Sequence, residues 1–164
     1  MLNSSLPGPA LARGPSQEVI EAWNYIAKKL VEMAENFPED KYSYRPTPEV
    51  RSFAEHLLHV AEANYILISA AQGTKLEKFP PEMYKTKAET LEVLKTSFAD
   101  GAAVIEQGGD AGMRQLVQHP VVDLMVSQNN LWMIWIEHAG EHYGSLVLYY
   151  RLNNLVPPAS GRLR

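Results

Sequence analysis

His138 and His142, four residues apart, are the residues of this chain best placed to do chemistry. On an α-helix, positions four apart lie about 40° apart around the axis and one turn along it, so both imidazoles face the same way. His-x3-His is a recurrent metal chelate on helices. A third imidazole could come from a separate segment that carries both His56 and His59. Spacing does not choose between those two, although His56 lies somewhat nearer the centre of its segment's apolar stripe. Three converging neutral imidazoles suit zinc or nickel and leave one position of a tetrahedral ion open for water or substrate. The plainer alternative is a set of core histidines whose ring nitrogens are satisfied by neighbouring side chains.

Other polar groups stand near these histidines in sequence. Glu55 precedes His59 by about one turn and Glu62 follows it by nearly one. Either could orient a ligand or serve as a base, and either could be a carboxylate of the helix surface or N-terminal dipole. Glu137 and Glu141 point elsewhere on the wheel and read as solvated charges. His119, beside Pro120, reads as a loop histidine, with a lid role as the alternative. Trp132 and Trp135 read as core, and Arg151 as a last-turn cation facing the helix dipole.

Four helical segments must position these groups. The first begins near Ser16, read as an N-cap, and repeats Val19, Trp23, Ile26, Leu30, Met33 and Phe37 at steps of three and four. Pro38, Pro46 and Pro48 then hold an extended linker. The second starts near Ser52, with Glu55 three residues on as in a capping box, and carries Phe53, Leu57, Val60, Asn64 and Leu67 on one face. A third spans roughly 87–107, where Gly108 and Gly109 break the pattern. The fourth, 124–153, presents Leu124, Gln128, Leu131, Trp135, His138, His142, Leu146 and Tyr149 as one face. The fragment 117–122 is too short and Pro-interrupted to seed a sheet. The expected class is all-α, a four-helix bundle with long linkers between helices 1 and 2 and helices 3 and 4 that could cover one end of the site.

The 164 residues and 46% hydrophobic content suit one domain, read as 17–164, preceded by a disordered Pro/Gly/Ser-rich arm over 1–16. A net charge of -4 and no basic run interleaved with aromatics argue against nucleic acid as a partner. No stretch approaches the ~18 apolar residues of a membrane span, and cytoplasm is the default location, with a truncated export signal as the alternative. With no cysteine the chain has no thiolate nucleophile of its own, and any metal rests on His, Asp and Glu.

Two motifs then resemble a known family. Ser52-Phe53-Ala54-Glu55-His56-Leu57-Leu58-His59-Val60-Ala61 resembles the Ser-x-x-Glu-h-h-x-His-h-Ala signature (h apolar) of the DinB/YfiT-like four-helix proteins. His138-Ala139-Gly140-Glu141-His142-Tyr143-Gly144-Ser145-Leu146 is similar to the family's His-x3-His-x-Gly-Gln-h element. The run from Tyr149 to Pro158 resembles its terminal Tyr-Leu-Arg-x-x-Gly-x-x-Pro-Pro. The resemblance implies that His59, His138 and His142 hold a divalent ion such as zinc or nickel, and that His56 is a supporting or packing residue. Ser145 stands where the family often has Gln, Tyr143 where it often has Arg, and Asn154 where it has Gly. Asn154 is a mild change because Asn tolerates the left-handed conformation past a helix end. Gly144, costly inside a helix, reads as a close approach of another backbone or as a tolerated defect.

Relatives with assigned activities are thiol-dependent S-transferases or metal-dependent hydrolases of the maleylpyruvate isomerase and mycothiol-transferase type. The resemblance therefore implies a small metal-dependent enzyme acting on a small molecule, with a low-molecular-weight thiol as the imported nucleophile. A non-catalytic, dimeric, stress-associated metal-binding module is the alternative, and a metal-free bundle with fortuitous histidines is a third. A homodimer through a spare apolar stripe is expected in the first two.

Overall fold

The computed structural model describes residues 13–76 and 78–161. Helix α1 spans Pro15–Asn36, α2 Phe53–Ala71, α3 Lys87–Met113 and α4 Gln128–Leu152, and a short α5 covers Pro158–Gly161. Strands β1 (Leu116–Gln118) and β2 (Met125–Ser127) form an antiparallel hairpin ahead of α4. Among the described residues the fold is all-α apart from this hairpin. Helix α1 packs on α3 and α4, and so does α2, which sets α1 diagonal to α2 and α3 diagonal to α4. Each expected long linker thus joins helices on opposite corners, which a minimal turn cannot span. No described helix is long and apolar enough to cross a membrane.

The stripe read on α1 is buried from Val19 to Phe37, and that on α2 from Phe53 to Leu67. Phe37 and Phe53 stack with centroids 3.8 Å apart, joining the end of α1 to the start of α2. The α2 capping box forms as expected, Ser52 Oγ accepting from the Glu55 N–H while Glu55 accepts from the Ser52 N–H at 2.6 Å. Linker carbonyls of Tyr44 and Tyr42 take up the N–H groups of Phe53 and Ala54. This anchors the first turn of the helix that carries His56 and His59.

Helix α3 approaches α1 so closely at Gly101 that a Cβ there would lie 2.5 Å from Trp23 Cζ2. Trp23 is fully buried, donates from Nε1 to the Phe98 carbonyl at 2.8 Å, and meets Trp132 edge-on at 5.1 Å. Gly144 has no such role, since a Cβ there meets nothing within 4 Å. At the end of α4, Asn154 takes φ 57°, and the N–H groups of Asn154 and Leu155 return to the carbonyls of Arg151 and Tyr150. This is a Schellman closure built on Asn.

Several sequence expectations are corrected. Ser16 is not the N-cap of α1; Gly14 is, with Pro15 in the first turn, and the Asp110 carboxylate supplies the cap by accepting from Ser16 N and Oγ at 3.0 and 2.6 Å. The helical pattern resumes after Gly108 and Gly109 and runs to Met113, with Gly109 at φ 54° marking a kink. That kink precedes the carboxylate that caps α1. The first two residues of the 117–122 fragment do enter a sheet, because Pro120 falls in the turn beyond the Gln118–Met125 pair, where its missing N–H costs no ladder bond. Val117 and Val126 pack on the core, so tertiary docking supports strands of three residues. Helix α4 consequently begins at Gln128, and Leu124 is exposed in the hairpin turn. Most of the disordered-arm expectation lies outside the described residues, while Pro15 and Ser16 are already helical.

Candidate metal centre

Helices α2 and α4 pack together and place His59, His138 and His142 side by side, with one ring nitrogen of each within 4.8 Å of the others. His138 Nε2 and His142 Nε2 stand 3.2 Å apart. Two nitrogens bound about 2.0–2.1 Å from a tetrahedral zinc stand roughly 3.3–3.4 Å apart, so this pair fits such an ion with little movement. His59 closes the triangle, its ring 5.3 Å from His138 and 5.0 Å from His142. The three nitrogens are borderline donors that suit zinc or nickel. His142 is buried, whereas His59 and His138 are half-buried, so the trio opens on one side towards solvent.

The electrostatics favour neutral rings. Burial, with His138, His56 and His59 close by, pushes His142 down to about 3. Burial and the Arg51 charge push His59 down to about 4. Burial also lowers His138 and His56. All four are therefore unprotonated at neutral pH, the state in which imidazole binds metal.

His56 is buried behind the trio. Its Nδ1 lies 2.8 Å from His142 Nδ1, and its Nε2 lies 3.2 Å from the Tyr149 hydroxyl, which donates to the Arg51 carbonyl. Glu62 Oε2, one turn along α2, lies 3.7 Å from His59 Nδ1. Glu55 is engaged elsewhere, holding the capping box and pairing with Arg45 at 2.8 Å. Glu137 and Glu141 are exposed, and Trp132 and Trp135 are core. His119 holds its own turn, Nδ1 accepting from the N–H groups of Val121 and Val122, with its ring 5.8 Å from that of Trp135. It also lines a separate cavity of about 610 Å³ between the end of α2 and the hairpin.

Two groups of the site escaped the sequence reading. The sequence places Tyr149 on the apolar face and at the head of the terminal motif, not at the site, although its position seven residues after His142 puts it two turns along the same side. A buried tyrosine needs a partner for its hydroxyl, and that requirement was the available signal. The Arg51 carbonyl carried no signal, because side-chain types do not report backbone acceptors.

Comparison with known proteins agrees with this fold. The DinB superfamily model matches residues 22–146. A DinB-like protein from Bacillus subtilis superposes with a TM-score of 0.68 at 20% identity, over 84% of this chain and 92% of that one. Another from Bacillus cereus gives 0.75 at 12% identity, over 87% and 95%. Among curated proteins, none matches. The matched segment contains all three candidate ligands and most of the bundle that holds them. This chain belongs to the DinB superfamily.

Proposed function

We propose that the chain is a metal-dependent enzyme that binds zinc or nickel through His59, His138 and His142 and activates a small nucleophile against an electrophilic substrate. The observation that carries this reading is a trio of imidazoles, two with nitrogens at chelate distance, that is open on one side. A divalent ion held by these nitrogens supplies Lewis acidity that lowers the pKa of an incoming water or thiol. The chain has no cysteine, so the thiol enters as a substrate. His142 forms the buried end of the site, while His59 and His138 form its half-exposed rim. The charge of Arg51, which acts on all four imidazoles, favours anionic substrates and thiolates at that rim. Of the two candidate carboxylates, Glu62 is the one beside a ligand ring. It favours a proton on His59 Nδ1 and leaves Nε2 for the ion.

Metal-stripped protein is to be reloaded with zinc or nickel and offered low-molecular-weight thiols with an electrophile, and separately esters and amides, with and without chelator. Metal-dependent consumption of a thiol identifies an S-transferase, and metal-dependent cleavage identifies a hydrolase. Loaded protein that turns over neither refutes the enzymatic reading. A second reading, a dimeric metal-binding interaction module, is favoured by the exposed Tyr25 on α1 and Met133, Leu148 and Leu152 on α4. Sedimentation of the loaded protein tests it, a monomer at all concentrations arguing against it.

A further inference from the structure

We propose that His56 is a positioning residue that, with Tyr149 and the Arg51 carbonyl, fixes the His142 ring in the Nδ1–H form and so turns a bare Nε2 lone pair towards the metal position. The inference rests on the metal-site reading for its purpose but on hydrogen-bond accounting for its content. A carbonyl oxygen can only accept, so the single Tyr149 hydroxyl proton is committed to Arg51. The Tyr149 oxygen, 3.2 Å from His56 Nε2, then accepts the proton carried there. A neutral imidazole has one N–H, which leaves His56 Nδ1 as an acceptor. His142 Nδ1, 2.8 Å away, must be its donor. With that proton placed, His142 Nε2 carries a lone pair and faces His138 Nε2 at 3.2 Å.

Three features make the direction of this chain definite. It ends in a backbone group that cannot reverse it, at the residue just before the N-cap of α2. Burial raises the Tyr149 hydroxyl above its ordinary value and keeps it a donor at neutral pH. The participating His56, His142 and Tyr149 side chains belong to residues less than a tenth exposed, so water competes poorly for the links. A histidine ligand whose second nitrogen donates to a fixed acceptor is held in orientation, and such outer partners are typically worth roughly 10–100-fold in metal affinity. His56 is more buried than His59 and His138 because it sits behind His142, on the Nδ1 side of that ring.

The test uses full-length protein labelled with ¹⁵N-histidine. In the metal-free protein, long-range ¹H–¹⁵N spectra should show His142 protonated at Nδ1 and His56 at Nε2; His142 protonated at Nε2 overturns the proposal. Zinc affinity is then compared by competition with a chromophoric chelator. Tyr149→Phe removes the terminal donor and acceptor with little change of shape, and His56→Leu removes the acceptor of His142. Each should weaken zinc by roughly 10–100-fold and lower the Nδ1–H population of His142. His56→Asn, which returns an amide oxygen near the Nδ1 position, should recover at least part of both losses. Unchanged affinity and tautomer in Tyr149→Phe and His56→Leu would refute the relay, as would Asn performing no better than Leu. If the wild-type protein binds no zinc, the metal reading fails by itself, while the tautomer of His142 in the metal-free protein still decides whether the relay exists.

Discussion

Glycine-to-alanine substitution should stabilise the protein at one helical position and fail to do so at another. In an exposed helix interior the change stabilises by roughly 1 kcal/mol, because alanine restricts the unfolded chain and suits the helix. Gly144 meets that description, being exposed on α4 with open space around its would-be Cβ. At Gly101 the new methyl would stand 2.5 Å from Trp23 Cζ2, 2.9 Å from Cε2 and 3.1 Å from Nε1. Ordinary carbon contacts begin near ~3.5 Å, so a displacement of about 1 Å is needed. Trp23 cannot swing aside cheaply, since its Nε1 is bonded to the Phe98 carbonyl and its ring is held by Phe98 and Trp132. Overpacking of this kind costs ~1–3 kcal/mol, which exceeds or offsets the helix-propensity gain. The two variants should therefore differ by about 1–3 kcal/mol in urea unfolding, Gly144→Ala above wild type and Gly101→Ala at or below it, with unchanged m-values. Gly101→Ala as stable as Gly144→Ala would refute the close approach of α1 and α3.

Acid should act on the fold and on metal binding through the same histidines. With folded values of about 4 for His59 and about 3 for His142, the unfolded chain takes up protons first, below an ordinary value near ~6.5. Stability of the metal-free protein should be level above that pH and fall towards pH 4, by at most about 1.4 kcal/mol per pH unit for each group. Calorimetric zinc titration at pH 6 in buffers of different ionisation enthalpy should release fewer than about one proton, against roughly two for three ordinary imidazoles. Free zinc at about 100 times its Kd should add ~2.7 kcal/mol and raise Tm by roughly 5–10 °C, an effect reversed by chelator and absent in His138→Ala. Asp110→Ala should lower the urea midpoint and speed amide exchange at Ser16 and Gln17, because it removes the cap of α1.

What the sequence revealed depended on how local the cause was. The stripes of α1 and α2 and the Ser52–Glu55 box depend on neighbours three and four residues away, so they were readable. The cap of α1 is not legible locally because its acceptor, Asp110, comes from 94 residues along the chain, through a helix that bends at Gly109 and continues. The hairpin was missed because three-residue strands have too little period of their own and are held by packing of Val117 and Val126. At the site, wheel position favoured His56 over His59, and His56 is indeed the more deeply buried. Depth in the stripe measures exclusion from water, whereas an open metal position would belong at the edge, so periodicity cannot rank the candidate ligands. The family resemblance points instead to His59, and the structure brings His59 together with His138 and His142.

X-ray absorption at the zinc edge of protein loaded with one equivalent of zinc tests the central claim most directly. Three imidazole nitrogens at about 2.0–2.1 Å and one further light atom are expected, with one histidine lost from the shell in each of His59→Ala, His138→Ala and His142→Ala. A spectrum with fewer than three imidazoles, or one left unchanged by all three substitutions, would contradict the metal centre.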